Sequence, residues 1–293
     1  MLKGKKAKVG IIGTGNIGTD LLFKIQRSEL LECSIFAGKN LNSEGIKRAK
    51  NLGINTSFES INAIIAHPEL CDIVFDATSA EAHRVHAPIL NKLGKFTIDM
   101  TPSRIGKMCV PYLNLEDCLS EANVNMVTCG GQATAPIIRT IEDVEGNLNY
   151  VEIVASISSK SAGVGTRNNI DEYTKTTSEA IKQFAGVKNA KAIIVLNPAE
   201  PPILMHNTIF VPLKKAKLSK LWTQLIELEK KIKKYVPGYK ITNRPVIENN
   251  RLIIMNQVIG RGDFLPSYAG NLDIINCAAI EVAEAYTRKY LIH

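Results

Sequence analysis

The sequence lacks the long apolar runs and the biased composition that would place it outside ordinary globular proteins. No apolar run in the 293 residues approaches the roughly 18 residues of a membrane-spanning helix, so no membrane partner is expected. About 45% of the residues are apolar and 22% are charged, which excludes a disordered chain. The length predicts about two domains.

The cysteines lack the spacing of a disulfide framework or a zinc site. Six are present, with no CxxC pair among them: Cys33, Cys71, Cys109, Cys118, Cys129 and Cys277. We therefore expect neither disulfides nor a bound metal. The basic start followed by apolar residues 9–12 imitates a secretory signal, but glycines interrupt it and no cleavage pattern follows. A cytoplasmic protein is predicted.

The net charge of +8 comes from two short lysine-rich stretches of the chain. Four lysines lie within residues 3–8, and residues 214–234 contain eight lysines against two glutamates, so the rest of the chain sums to −2. In the second stretch leucines recur every three to four residues, which predicts one amphipathic helix with a solvated basic face. No nucleic-acid-binding motif accompanies it, so no nucleic-acid partner is expected.

The order of strand and helix patterns changes along the chain. The first 128 residues alternate short β-branched runs with helical patterns, which predicts βαβ units and a parallel sheet. After Pro136 the strands follow one another closely, which favours an antiparallel sheet. We expect an α/β fold with a Rossmann-like domain (1–131 and 271–293) and an inserted α+β catalytic and dimerisation domain (132–270). The last helix returns to the first domain, with Asn271 as its N-cap.

A glycine motif, Gly13-Thr-Gly-Asn-Ile-Gly18, lies between a predicted strand and a predicted helix. Glycines there permit a tight turn, approach of the backbone to a pyrophosphate and close helix packing. The alternative is a turn with structural glycines. The acid that usually holds the ribose of NAD is missing, because the second strand is followed by Gly38, Lys39 and Asn40. Asn40 can bond a ribose hydroxyl and Lys39 can tolerate a phosphate, so NAD is preferred and NADP stays open.

The stretch TCGGQATAP at 128–136 places a cysteine between a predicted strand and a helix start. A helix N-terminus is expected to lower the pKa of the Cys129 thiol, and nearby N–H groups suit an oxyanion. Cys129 is therefore a predicted nucleophile, whereas a cysteine without such a motif is usually a buried small hydrophobe.

Other polar residues are weaker candidates. Residues 161–169 form a glycine-containing loop that suits a phosphate or a nicotinamide amide, the alternative being a surface turn. His83 and His86 are expected on the surface or as satisfied core residues. His206 is the better candidate for a base or for a contact with coenzyme A.

Several motifs together resemble the acylating acetaldehyde dehydrogenases. They are GTGNIGTDLL at 13–22, DIVFDATSA at 72–80, TIDMTPSRIGK at 97–107, TCGGQATAP at 128–136, VEIVASISSKSAGVGTRNNIDEYT at 151–174, NPAEPP at 197–202 and GNLDIINCAAIEVAE at 270–284. The resemblance covers almost the whole chain. It implies NAD-dependent oxidation of acetaldehyde, or another short aldehyde, with coenzyme A (CoA) to acetyl-CoA through a cysteine thioester.

The resemblance also assigns residues. Cys129 matches the acyl-thioester cysteine. The matching cofactor-binding positions are Gly13, Thr14, Gly15, Asn16, Ile17, Ser161, Ala162, Gly163, Val164, Gly165, Thr166, Arg167, Asn168, Asn169 and Asn271. Asn207 stands where related enzymes have an aspartate that has been considered for thiol activation. An asparagine cannot accept a proton as a base at neutral pH, so base catalysis from Asn207 is in doubt.

The family further implies a 4-hydroxy-2-oxovalerate aldolase as partner, within a homodimer or a hetero-oligomer. Two alternatives stay open. One is a phosphate-dependent semialdehyde dehydrogenase of the aspartate-semialdehyde or glyceraldehyde-phosphate type. The other is a non-catalytic NAD-binding regulator.

Overall fold

The computed structural model describes residues 6–40, 42–163, 166–167 and 169–292. The chain forms two compact units, Met1–Met126 with Asn276–His293, and Val127–Ile275. These boundaries differ by five residues at each junction from the expected 1–131 and 271–293. Cys129 therefore belongs to the second unit.

The first unit contains a seven-stranded, fully parallel sheet in the order β3-β2-β1-β4-β5-β7-β6. Its strands are β1 (Ala7–Ile12), β2 (Leu31–Ala37), β3 (Thr56–Ser57), β4 (Ile73–Asp76), β5 (Phe96–Asp99), β6 (Lys107–Met108) and β7 (Asn123–Asn125). Its helices are α1 (Asn16–Gln26), α2 (Glu44–Asn51), α3 (Asn62–Ala66), α4 (Ala80–Lys92) and α5 (Pro111–Cys118). Strand order reverses between β1 and β4, which is where open parallel sheets bind ligands.

Continuous apolar strands explain why this sheet is buried. Every residue of β4 is buried, as are five of the six residues of β1, because helices cover both faces of a parallel sheet. The predicted Rossmann-like sheet is confirmed.

The second unit contains a six-stranded mixed sheet in the order β11-β13-β10-β8-β9, with β12 paired to β13. Its strands are β8 (Tyr150–Ser158), β9 (Asn189–Asn197), β10 (Met205–Pro212), β11 (Tyr239–Ile241), β12 (Val246–Glu248) and β13 (Arg251–Val258). Its helices are α6 (Cys129–Glu145), α7 (Ile170–Ala185), α8 (Leu218–Ile232) and the start of α9 (Gly270–Tyr290). The expected antiparallel pairing holds for β10 with β8 and with β13, but β8 and β9 are parallel.

The parallel pair results from α7, a helix that the sequence patterns did not predict. It lies between β8 and β9 and supplies the crossover that parallel neighbours need. Its threonine-rich sequence has weak intrinsic helix propensity. Packing compensates, because Tyr173, Thr177 and Ile181 recur four residues apart and are buried.

The final helix and the basic helix are confirmed with altered ends. The later part of α9 packs on the first unit, where Asn276 Nδ2 donates to Asp20 Oδ2 at 2.8 Å. Because α9 begins at Gly270, Asn271 lies inside its first turn and is not its N-cap. In α8 the residues Leu221, Leu225 and Leu228 are buried, and its basic residues lie on the opposite face. Within the described residues, no helix is long and apolar enough to span a membrane.

Candidate active site

The glycine loop of the first unit has the shape that a dinucleotide needs. Gly13 adopts φ +109°, and a Cβ there would collide with the carbonyl oxygen of Ala77. A Cβ at Gly18 would collide with the carbonyl of Gly13, so helix α1 packs directly against the turn. A Cβ at Gly15 would meet nothing within 4 Å. Gly13 and Gly18 therefore shape the loop, and Gly15 leaves its outer side open to a ligand.

The predicted loop residues Thr14, Asn16 and Ile17 are held in defined positions. The hydroxyl of Ser43 donates to Thr14 Oγ1 at 3.1 Å. The carbonyl of Ile17 accepts from Asn276 Nδ2 at 3.2 Å. Gly15 is the N-cap of α1 and, like Asn16, is exposed. The free N–H groups of this helix start fit a pyrophosphate.

The segment after β2 fits a ribose without an acidic residue. Lys39 and Asn40 are exposed there. Asn40 Oδ1 accepts from the main-chain N–H of Asn42 at 2.9 Å, so its side-chain nitrogen is the group left for a ribose hydroxyl.

An arginine of the loop after β8 bonds back to the carbonyls at the start of that loop. Of the predicted residues there, Ser161, Ala162, Gly163, Thr166, Arg167 and Asn169 are described, whereas Val164, Gly165 and Asn168 lie outside the described residues. The guanidinium of Arg167 donates to the carbonyls of Ser159 at 2.8 Å and Ala162 at 3.0 Å. Arg167 thus holds the start of this loop, at residues 159–162.

Asn271 joins this loop within the second unit. Its Nδ2 donates to the carbonyl of Ser161 at 3.5 Å, and the residue is only 2% exposed. Its Oδ1 is buried and has no hydrogen-bond partner in the part of the chain that the structure describes. A buried acceptor without a donor is costly, so this oxygen fits a ligand N–H such as a carboxamide.

Cys129 is the first residue of α6, at a tight strand-to-helix turn. Thr128 caps the helix, and its Oγ1 accepts from the main-chain N–H of Gly131 at 3.0 Å. Val127, directly before the cap, adopts φ +62°, which a β-branched residue rarely does. Cys129 is partly exposed, whereas the other five cysteines are buried. The turn thus presents one thiol beside the free N–H groups of a helix start.

The pKa of that thiol is shifted in the direction opposite to the one expected from the sequence. Burial raises the pKa of Cys129 to about 11, although the hydrogen bond between Cys129 and Tyr173 and those from the main-chain N–H groups of Gly130 and Cys129 lower it. Desolvation of the sulfur therefore outweighs the helix start, and Cys129 is a neutral thiol near pH 7.

Tyr173 and Thr177 of α7 complete the surroundings of Cys129. Cys129 Sγ donates to Tyr173 Oη at 3.7 Å. Thr177 Oγ1 lies 2.7 Å from Thr128 Oγ1 and donates to the carbonyl of Tyr173 at 2.7 Å. Sequence reasoning missed both residues because it missed α7. The i, i+4 spacing of Tyr173 and Thr177 is the signal that was available.

Asn207 and His206 are neighbours on β10 but face opposite sides of it. Asn207 is fully buried, and within the described residues neither amide atom has a hydrogen-bond partner. No hydrogen bond between Asn207 and Cys129 is found in the described chain. His206 is exposed, with Nδ1 2.9 Å from the carbonyl of Leu204 and Nε2 2.8 Å from Gln257 Nε2. Its exposed position on the other face weakens His206 as a base.

His83 and His86 are buried core residues rather than surface residues. The Nδ1 atoms of both lie 2.8 Å from the same oxygen, Asp76 Oδ2. Burial alone would raise the pKa of Asp76, but the bonds from the two histidines hold it well below its usual range. The described residues contain no group of three side chains suited to a metal ion.

Comparison with known proteins covers both units. Residues 8–117 match the family model of the semialdehyde dehydrogenase NAD-binding domain, and residues 129–266 match that of prokaryotic acetaldehyde dehydrogenase, dimerisation. The chain is 51% identical to an acetaldehyde dehydrogenase of Pectobacterium atrosepticum over 282 residues, which is 96% of this chain and 95% of the relative. It is 51% identical to the acetaldehyde dehydrogenase of Spirochaeta aurantia over 98% of this chain and 97% of the relative.

Among solved structures, aspartate semialdehyde dehydrogenase II of Vibrio cholerae has a similar fold. The TM-score is 0.65 at 14% identity, over 98% of this chain and 100% of that chain. At this identity the likeness shows the fold alone.

Proposed function

The chain belongs to the prokaryotic acetaldehyde dehydrogenase family, and we propose that it oxidises acetaldehyde or another short aldehyde to the acyl-CoA, with NAD as hydride acceptor. Cys129 carries this proposal. It is a partly exposed thiol at the capped start of α6, after a residue in a rare backbone conformation. Backbone strain of this kind clusters at functional sites.

The residues that would hold the dinucleotide lie in two loops. Gly13, Gly15 and Asn16 fit the pyrophosphate, and Ser161 and Asn271 fit the carboxamide of the nicotinamide. When bound, the cofactor takes the hydride released from the aldehyde carbon. With no acid after β2, the proposal of NAD over NADP rests on the exposed amide of Asn40.

Cys129 supplies the covalent chemistry. Its sulfur adds to the aldehyde carbon to form a hemithioacetal, whose oxygen the first N–H groups of α6 can stabilise. Loss of hydride from that carbon, with loss of the proton on its oxygen to water, leaves an acyl thioester on Cys129. The thiol of CoA then attacks the thioester and releases the cysteine. The proposal needs no metal.

The test is CoA-dependent formation of NADH from acetaldehyde and propanal, measured for wild type and Cys129→Ser. We expect the variant to lose turnover while its NAD binding, followed by tryptophan fluorescence or calorimetry, stays unchanged. Cys277→Ala, which alters a buried cysteine of α9, is the matched control and should keep turnover. Near-full activity of Cys129→Ser would refute the assignment.

The same assay separates the two alternatives. A phosphate-dependent semialdehyde dehydrogenase would turn over with phosphate in place of CoA. A regulator would bind NAD and give no NADH with either acceptor. Running both NAD and NADP in each assay measures the cofactor preference.

A homodimer is part of the proposal, since the second unit matches a dimerisation domain. Alternation along β10 and β13 buries one face of the sheet, and the other face exposes apolar side chains such as Met255, which is 41% exposed. We expect a second copy to cover that face. Met255→Asp should give monomers in analytical ultracentrifugation, whereas Ile226→Asp, at an equally exposed residue of α8, should not.

The family resemblance extends the proposal to a 4-hydroxy-2-oxovalerate aldolase as the source of the aldehyde. Size-exclusion chromatography of the two co-expressed proteins tests it. Two independent peaks at micromolar concentration would count against a stable complex.

A further inference from the structure

We infer that the hydroxyl of Tyr173 relays the proton of the Cys129 thiol to the substrate oxygen, an inference that rests on the proposed role of Cys129 as nucleophile. Three observations within the second unit carry it. They are the position of Oη, the lack of another proton acceptor at the sulfur among the described residues, and the chemistry of a neutral thiol.

Tyr173 is held against the start of α6. The residue is 7% exposed, and Cys129 Sγ donates to Oη at 3.7 Å. A Cβ on Gly130 would collide with Oη, so the hydroxyl lies directly on the backbone of the residue after the nucleophile. The threonine pair Thr128 and Thr177 ties α7 to this turn at 2.7 Å. The hydroxyl therefore has a fixed place at both the sulfur and the N–H groups that suit an oxyanion.

Other candidates for the proton are unsuitable. The side-chain amide of Asn207 has no basic lone pair at neutral pH. His206 is exposed on the other face of β10. Among the described residues, Tyr173 is the side chain whose hydrogen bond affects the pKa of Cys129, and no charged side chain contributes to it.

Both groups hold their protons near neutral pH. Burial raises the pKa of Cys129 to about 11. Burial and the neighbouring Cys129 thiol raise the pKa of Tyr173 well above its usual range, despite hydrogen bonds from Gly130 and Thr177. A tyrosine that stays protonated is a poor base, but it can accept one proton while it gives up another.

The step balances without a co-reactant. The sulfur–carbon bond forms as the carbon–oxygen π pair moves onto the substrate oxygen. The thiol proton moves to Oη while the phenolic proton moves from Oη to the substrate oxygen. The product is a neutral hemithioacetal, and Tyr173 is neutral before and after.

The experiment compares the pH profiles of kcat/KM for acetaldehyde in wild type and Tyr173→Phe, from pH 6.5 to 9.5 with saturating NAD and CoA. We expect a flat profile for wild type. The variant should be slower by roughly 10² to 10⁴ at pH 7, the usual contribution of positioned proton transfer. Its rate should rise about tenfold per pH unit, because only preformed thiolate then reacts. Its dissociation constant for NAD should not change.

Two controls keep the test decisive. Tyr239→Phe removes another buried hydroxyl of the same unit, which donates to the carbonyl of Ala133 at 2.8 Å, and should lower stability without changing the pH profile. Gly130→Ala keeps the phenol but pushes it away, and should reproduce the steep profile of Tyr173→Phe even if that variant folds poorly.

A wild-type rate and flat profile in both Tyr173→Phe and Gly130→Ala would overturn the relay while the proposed function stands. Full turnover by Cys129→Ser would instead overturn the proposed function itself. Iodoacetamide labelling of Cys129 at pH 9.5 in Tyr173→Phe and Gly130→Ala confirms that the thiol of these two variants is accessible.

Discussion

Replacing Asp76 by asparagine should destabilise the first unit more than any exposed substitution, and most strongly in mildly acidic solution. Asp76 is fully buried, and Oδ2 accepts from Nδ1 of both His83 and His86 at 2.8 Å. Thr78 donates to the other oxygen, Oδ1, from both its main-chain N–H and its hydroxyl. An amide has one acceptor oxygen and one donor nitrogen, so either both histidines or Thr78 face the nitrogen and lose their acceptor. Removing one partner of a buried ion pair costs about 3 kcal/mol or more, roughly a hundredfold in the unfolding equilibrium.

The pH dependence follows from two opposite pKa shifts. The pKa of Asp76 is lowered, so its contribution is present above the unfolded value of about 3.9 and is lost as pH falls through the folded value. Burial lowers the pKa of His83, but its bond to Asp76 raises it overall, so this contribution is full below about pH 6.5 and is lost as pH rises through the folded pKa. The pair therefore stabilises the fold most between about pH 4 and pH 6.5.

Asp99 cannot replace the lost carboxylate. It lies 3.5 Å from Nε2 of His83, but burial raises its own pKa, and it already accepts from Asn125 at 2.6 Å.

The assay is urea unfolding of wild type and Asp76→Asn at pH 5.5, 7 and 8.5, with Asp117→Asn, an exposed residue of α5, as control. The difference in unfolding free energy should be largest at pH 5.5 and smallest at pH 8.5. A difference below about 1 kcal/mol, the scale of a surface ion pair, or an equal difference at all three pH values would refute the reasoning.

Four further substitutions test other parts of the structure. Gly15→Ala adds a methyl group in open space, so the urea midpoint of unfolding should stay unchanged while calorimetry shows weaker NAD binding. Gly13→Ala places a side chain at φ +109°, so this variant should unfold at a lower urea concentration. Thr128→Ala removes the N-cap of α6. It should lower the free energy of unfolding in urea by about 1 kcal/mol and should also reduce turnover. Leu225→Ala, fully buried in α8, should cost about 2–5 kcal/mol by the same measurement.

The parallel sheet of the first unit was predictable because its signals are local. Buried parallel strands are continuous apolar runs, and the glycine loop follows the first of them. The second unit was less predictable. The sequence pattern of residues 241–247 predicts one strand. The structure has two short strands there, β11 and β12, because Pro245 and its polar neighbours interrupt the pairing. Helix α7 is stabilised by packing rather than propensity, which a single sequence hides.

The candidate site also contains residues that the sequence predicts and residues that it does not. Cys129 and the glycine loop could be predicted because each is one contiguous motif. Tyr173 could not, since it meets Cys129 only through the packing of α7 against α6, 44 residues away. The raised pKa of Cys129 could not be predicted either, because burial of a sulfur depends on the tertiary structure.

That pKa links the asparagine at position 207 to the tyrosine. With a pKa of about 11, roughly one Cys129 in 10⁴ is a thiolate at pH 7. A buried carboxylate acting as a base could raise the thiolate fraction. It would, however, have to stay charged in a desolvated site, which is costly without charged or polar partners. Asp76 has such partners, because two histidines bond to it. Asn207 is neutral and fully buried, so this site avoids that cost. A neutral site can still use the thiol if the proton leaves during the addition step, and Tyr173 Oη is the atom placed to accept it.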